Sequence, residues 1–385
     1  MKILLISFNW VEYLVEMANA LAARGHACDV ILKTSRVRET VGDALPALLD
    51  PRVRAHLLDD RPRGLRDPRQ WLTVPRFVAL VRSIAPDVVN VHDTSITYLP
   101  FGLKARRRSP LLLTVHDVAL HPGADEREPR RRAWVRRALR EAADAVIVHG
   151  ERLREQYLAE PGPICRNVHS IPHGCYTVLR HWLRPGVAEI PRSVLFFGRL
   201  HAYKGLDVLL QAMDRVARDV PDVRLIVAGD GEEMTRRHAT LAADPRCIVE
   251  RGYLGNDTVA RVFQQAGIVV LPYIEGSQSG VVRIAYVFGK PVIVTRVGSI
   301  PESVKDGITG LVVPPRDPEA LARAMVDLLL DDARRREMGA AAGRMASEDL
   351  SWSRIAERTE KVCTALLDQP ARGADPAGDR APYRR

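Results

Sequence analysis

The sequence predicts an α/β protein made of two doubly wound domains, each a parallel sheet covered by helices, facing each other across a cleft. Three observations carry that expectation. Strand-like and helix-like segments alternate from one end of the chain to the other, the pattern that yields parallel sheets with helices on both faces. The alternation starts afresh after a Pro- and Gly-bearing connection, "HWLRPGVAEIPRS" (181–193), which marks a domain boundary. The 385 residues are also more than one hydrophobic core comfortably holds.

In the first half the strands read "KILLISF", "CDVILKT", "VRAHLL", "DVVNVHD", "LLLTVHD", "AVIVHG" and "VHSIPHG". Between the first two lies "EYLVEMANALAARG", an amphipathic helix closed by Gly25. In the second half they read "VLFFG", "RLIVAGD", "CIVERGY", "IVVLPY", "PVIVT" and "GLVVP". Leu206, Leu209, Leu210, Met213, Val216, Ala217 and Val220 keep the spacing of a helix stripe facing a sheet. The last stretch, "DQPARGADPAGDRAPYRR" (368–385), has no apolar period and is expected to be disordered.

Composition narrows the class. With 46% hydrophobic and 27% charged residues the chain is that of a soluble globular protein. No window nears the roughly 18 apolar residues of a membrane span, and the opening apolar run is too short for a signal peptide. Five scattered cysteines without a CxxC pair argue against a disulfide framework or zinc ribbon and fit a reducing cytoplasm. The net charge of +10 comes mostly from arginine, gathered in "KARRRSP" (104–110) and "EREPRRRAWVRRALRE" (126–141). No aromatics interleave as on a base-stacking surface, so nucleic acid is not expected. An anionic acceptor or peripheral contact with the inner face of a membrane is the functional alternative to a merely solvated basic surface.

Doubly wound sheets bind ligands beyond the carboxyl ends of their strands. There, "VLFFGRLHAYKG" sets Gly198, Arg199 and Lys204 just before a helix start. Two cations, a permissive glycine and free helix amides make an anion site suited to phosphates; the alternative is a surface loop with chance cations. "VAGDGEE" repeats the form with Gly229 and Gly231 allowing close backbone approach, and Tyr253 in "ERGYLGND", flanked by glycines, is a candidate to border a base. "LPYIEGSQSG" ends a strand at Glu275 and continues through Ser277, Ser279, Gly280 and Val281 into a helix. Its amides would cradle phosphate while the carboxylate accepts hydrogen bonds from sugar hydroxyls; otherwise it is a helix cap with Glu275 in solvent. Four first-half strands end in histidine: His92, His116, His149 and His173. Three read as structural, none has paired metal-ligand spacing, and His116, followed by Asp117, is the candidate for reaching the cleft.

"GRLHAYKG", "VAGDGEE", "LPYIEG", "GKPVIVT", "GSIPESVKDGITGLVV", "TVHD" and "SIPHG" together resemble glycosyltransferase family 4, the retaining enzymes of the GT-B fold, over about residues 1–350. The resemblance implies an acceptor-binding Rossmann-like domain at 1–185 and a donor-binding one at 186–350. It also implies a terminal helix, "SWSRIAERTEKVCTALL" (351–367), crossing back to the first domain. Arg199 and Lys204 would hold the donor diphosphate, Glu275 the sugar hydroxyls, and His116 would line the sugar pocket. The donor, a substrate and not a cofactor, would be of the UDP or GDP type, and no metal is implied. The acceptor would be a glycan, a lipid-linked sugar or a small molecule.

Two positions depart from the family pattern. Its second glutamate, eight residues after the first and in contact with the ribose, is here Arg283, while counting back from "GKPV" lands on Ile284. The glycines usual after the first strand are replaced by Asn9 and Trp10, which with Glu12 are expected to shape the acceptor pocket. Arg283 leaves open a catalytically inactive partner subunit, and another GT-B enzyme, an epimerase or phosphorylase, is a second alternative. No strand continues into G-x-G-x-x-G with a later ribose-binding acid, which speaks against a dehydrogenase.

Overall fold

A computed structural model describes residues 1–58, 70–92, 94, 96, 98–106, 109–118, 130–276 and 278–369. The thirteen strands read from the sequence are the thirteen observed among the described residues. β1 (Lys2–Ser7), β2 (Ala27–Lys33), β3 (Val53–Leu58), β4 (Val88–His92), β5 (Leu111–Val115), β6 (Ala145–Val148) and β7 (Val168–Ser170) form one parallel sheet, in the order β3-β2-β1-β4-β5-β6-β7. A second contains β8 (Ser193–Arg199), β9 (Arg224–Asp230), β10 (Cys247–Arg251), β11 (Ile268–Leu271), β12 (Val292–Thr295) and β13 (Gly310–Val313), in the order β10-β9-β8-β11-β12-β13. Each order reverses beside its first strand. That places a crevice after β1 and β4 in one sheet and after β8 and β11 in the other.

The strands are near-continuous apolar runs because both faces of each sheet are covered. Two clusters of buried side chains flank the first sheet and two flank the second. The helix Val11–Ala23 stops at Arg24, and Gly25 follows with φ +89°, the left-handed position that a glycine fills without strain. Along Leu206–Asp219, the residues Leu206, Leu209, Met213 and Val216 are buried while Leu210 and Ala217 pack at the edge of the same core.

The connection after residue 181 is tied to the second domain. Its Glu189 accepts from Lys290 Nζ at 2.6 Å and from Arg335 Nη1 at 2.5 Å. The helix Trp352–Leu367, capped by Ser351, returns to the first domain and packs Trp352, Ile355, Ala356, Val362, Cys363 and Leu366 into the core shared with Val11–Ala23. Trp352 Nε1 donates to the Cys175 carbonyl at 2.5 Å, and Arg24 and His26 both pair with Glu360. The tail, residues 370–385, lies outside the described residues.

Candidate active site

Between the two sheets lies a cavity of about 890 Å³, walled by both domains. From the first domain come Asn9, Trp10, Glu12, Arg36 and Thr40; from the second come the ends of β8, β9, β10 and β11 and the start of the helix Gly280–Val287.

The second-domain wall is built by glycines where side chains would collide. A Cβ on Gly198 would stand 2.8 Å from Lys204 Nζ, so its absence gives the ammonium its place. Gly205, at φ +73°, lets the short Ala202–Lys204 turn enter the helix Leu206–Asp219; a Cβ there would be 2.0 Å from the Pro272 carbonyl oxygen. Lys204 is buried yet neither it nor exposed Arg199 pairs with a carboxylate among the described residues. Its ammonium lies 5.1 Å from the Tyr273 ring centroid. The Tyr273 hydroxyl is 3.3 Å from Ser279 Oγ, and Ser279 Oγ accepts from Val281 N at 3.3 Å, capping the helix Gly280–Val287. Arg199 and Lys204 line the cavity together with the starts of the helices Glu232–Ala243, at Gly231, and Gly280–Val287, at Gly280 and Val281, an arrangement that attracts an anion.

Gly229 and Gly231 also line the cavity, but the close approach they permit is to the protein's own backbone. A Cβ on Gly229 would lie 1.9 Å from the Gly198 carbonyl oxygen, its partner in the β8–β9 register, and one on Gly231 would lie 2.6 Å from the Leu200 carbonyl oxygen. Tyr253 is 62% exposed on the cavity wall. Arg36 crosses from the first domain to within 5.8 Å of its ring.

Asn9, Trp10 and Glu12 face these groups. Ser7 Oγ accepts from Asn9 N at 3.3 Å and from Trp10 N at 2.9 Å, which shapes the turn after β1. Glu12 Oε1 accepts from Asn256 Nδ2 of the other domain at 3.3 Å. Burial raises its carboxyl above the ordinary range, while its backbone hydrogen bond, Asn256 and Arg36 act the other way.

His116, Glu275 and Arg283 lie off the cavity wall. His116 does not line the cavity: it is 1% exposed, with Trp10 stacked on it at 4.3 Å and 22°. The bulky residue that replaces the usual glycine covers it. His116 Nε2 is 3.0 Å from His92 Nδ1, and with His149 and His173 the four imidazoles surround Tyr13. Glu275 stands outside the cavity wall, half-exposed, 3.7 Å from Arg316 Nη2. Arg283 is buried away from the cavity and donates to Ser303 Oγ at 3.0 Å, whereas Ile284, one residue on, lines it. A helix turns 100° per residue, so a one-residue offset decides which side chain meets the ligand. Ser277 lies outside the described residues.

The cavity also holds residues that no motif marked. Tyr273 sat within a quoted strand end and was within reach of the strand-end rule. Arg36, Tyr176 and Asn256 had no such signal, because only the meeting of distant segments brings them to the wall.

Two doubly wound sheets facing each other across such a cleft are the GT-B arrangement of glycosyltransferases. Family models match both halves: "Glycosyltransferase Family 4" over residues 11–178 and "Glycosyl transferases group 1" over residues 191–331. The chain belongs to glycosyltransferase family 4. Among its relatives is D-inositol 3-phosphate glycosyltransferase of Corynebacterium diphtheriae, 28% identical over 395 residues that span 92% of this chain and 90% of the relative. Among solved structures, sucrose-phosphate synthase of Thermosynechococcus elongatus superposes with a TM-score of 0.70 at 23% identity, over 95% of this chain and 99% of that one. The Anabaena protein HepE in complex with UDP-glucose gives 0.69 at 21% identity, over 95% and 100%. At these identities the two structures show the fold.

Proposed function

We propose that this glycosyltransferase is a retaining enzyme that moves a sugar from a UDP- or GDP-type nucleotide-sugar to an acceptor hydroxyl or amine on a glycan, a lipid-linked sugar or a small molecule. The observation that carries the reading is the pair of cations, Arg199 and Lys204, which line the cleft without carboxylate partners among the described residues, beside the helix starts at Gly231 and Gly280. A departing diphosphate is the group that needs such a charge partner, and meeting its charge this way makes the transfer independent of a metal ion. Exposed Tyr253 offers a face to the base. Two carboxylates line the cavity, Glu12, which accepts from Asn256, and Asp230, which accepts from the Gly231 amide; on this reading neither takes the sugar covalently, and leaving and attack occur on one face. HepE, crystallised with UDP-glucose, supports the donor class, and the name of the corynebacterial relative makes a phosphorylated acceptor a member of the acceptor range.

The first test is the shift in melting temperature with UDP, GDP, dTDP and ADP. A ligand that binds only the folded state at 100 times its Kd adds about 2.7 kcal/mol. One nucleotide is expected to shift the transition, and Lys204→Ala to abolish that shift. No shift with any of them would put the inactive partner subunit in its place.

A second observation bears on location. Phe101 and Trp134 are exposed and in contact, with ring centroids 5.5 Å apart. Trp134 belongs to the helix Arg130–Ala142, whose sequence carries six arginines and one acid; Arg140 among them is buried and pairs with Glu160, and exposed Arg137 pairs with Glu141. No helix among the described residues is long and apolar enough to cross a membrane. We therefore propose a cytoplasmic enzyme that rests on the anionic inner face of a membrane through this basic, aromatic surface. The chain is expected to sediment at low salt with vesicles of phosphatidylcholine and phosphatidylglycerol in equal parts, and to lose that binding in Trp134→Ser. A chain that stays in the supernatant at low salt removes the membrane from the account.

A further inference from the structure

Tyr176 enters the cleft from the segment that follows β7, and the packing around it leaves little freedom. Its neighbour Gly174 has no side chain where a Cβ would meet the Trp352 indole at 2.6 Å, and the Cys175 carbonyl accepts from Trp352 Nε1. The Tyr176 ring lies over Gly280: a Cβ placed there would be 3.4 Å from Tyr176 Cε2 and 3.5 Å from its hydroxyl. The phenol therefore stands beside the first residue of the helix Gly280–Val287. Lys204 is close by, since the Cβ position of Gly198 is 2.8 Å from Lys204 Nζ and 4.0 Å from Val281 Cγ2.

The hydrogen-bond direction at Tyr176 follows from its partners. His173 Nδ1 is 2.6 Å from the Gly174 carbonyl oxygen, which can only accept, so Nδ1 carries the proton. Burial keeps this imidazole neutral, pushing its pKa well below the ordinary value, with His149, Arg283 and His92 adding to the effect and the Gly174 hydrogen bond opposing it. Nε2 then holds a lone pair. The Tyr176 hydroxyl, 3.3 Å from Nε2, donates to it. A phenol has one proton to give, so the oxygen offers the cavity only its acceptor lone pairs.

Phosphate oxygens are acceptors and find no partner there, whereas a sugar hydroxyl does. We propose that Tyr176 is a donor-sugar contact, its oxygen accepting a hydrogen bond from a hydroxyl of the transferred sugar, and that His173 is the positioning residue that holds it in this sense. The inference rests on the nucleotide-sugar reading above and deepens it: the sugar lies where the Gly280 turn meets Tyr176, at the end of the diphosphate away from the base. Glu275, outside the wall, is then not the residue that reads this hydroxyl.

The test is calorimetric titration of the whole chain with UDP and UDP-glucose, and with GDP and GDP-mannose. Tyr176→Phe is expected to bind the plain nucleotide as the wild type does and the matching nucleotide-sugar about fivefold more weakly, the worth of one net hydrogen bond. His173→Asn, which cannot take the phenol proton at the same place, is expected to show the same split; a merely structural histidine would weaken both ligands together. Unchanged nucleotide binding also reports that each variant is folded. Equal losses on nucleotide and nucleotide-sugar, or no loss on either, overturn the proposal while leaving the donor reading intact. A wild-type chain that binds neither pair overturns both.

Discussion

Replacing Lys204 by alanine is expected to lower kcat by about 10²-fold or more while leaving the melting temperature unchanged or slightly raised. The first half follows from what Lys204 faces. Its ammonium is one of two cavity-lining cations without a carboxylate partner among the described residues, beside the helix start at Gly280, and a preorganised charge partner for a leaving group is worth at least that factor. The second half follows from its burial. Lys204 is only 8% exposed, its ammonium faces the Tyr273 ring, and no ion pair among the described residues compensates it. An unpaired buried charge costs folding energy, so removing it does not weaken the fold. Steady-state kinetics and thermal melting read the two halves separately. Near-normal turnover would remove Lys204 from the mechanism. A large fall in melting temperature would mean that it is structural.

Stability is expected to be level above about pH 7.5 and to fall steeply below pH 6.5. The cause is the imidazole cluster at the carboxyl ends of β4 to β7. Burial, the largest influence on all four, pushes His92 down to about 3, His149 to about 4, and His116 and His173 well below the ordinary value. The groups facing them add to this or oppose it: Arg283 bears on His149 and His173, Asp117 partly offsets the effect at His149, and the histidines repel one another's charge. In the unfolded chain each titrates near 6.5. As pH drops through that value the unfolded state binds protons that the folded state refuses, so acid favours unfolding. Each such group contributes a slope of about 1.4 kcal/mol per pH unit. Glu16 opposes by one group's worth, since burial pushes its carboxyl up to about 7 and the folded state takes its proton more readily. The four histidines together give a slope of about 5 kcal/mol per pH unit, which Glu16 and Glu12, its carboxyl also raised by burial, reduce, against a total stability of roughly 5–15 kcal/mol for a domain. Urea unfolding from pH 8 to pH 5 measures it. The slope should flatten in His149→Gln, and a wild-type midpoint that holds steady down to pH 5 would mean that the cluster takes up protons without opening.

Much of this molecule was legible before any coordinates. Thirteen apolar runs, six of them ending in Gly or Asp, were strands, and the restart after "HWLRPGVAEIPRS" separated the two sheets. The cations at a strand end in "GRLHAYKG" were found by the same reasoning, because position at the carboxyl edge of a parallel strand is written in the local pattern. Where the structure departs from the local pattern, the cause is contact between distant segments. His116 was expected in the cleft, but Trp10, more than a hundred residues earlier, stacks on it. Glu275, expected to reach a sugar, lies half-exposed 3.7 Å from Arg316 Nη2.

The sequence by itself determined where chain segments are extended or helical, that both sheets are parallel and buried, and which strand ends carry positive charge. Those properties depend on periods of two and 3.6 residues and on single glycines, all of them local. Tertiary structure alone decided that Ile284 and not Arg283 meets the cavity, that four histidines close around Tyr13, and that Tyr176 stands over Gly280 with its proton given to His173. Each of these is a contact between segments far apart along the chain, set by how two packed domains and a returning helix fill the space between them. No local period encodes that filling.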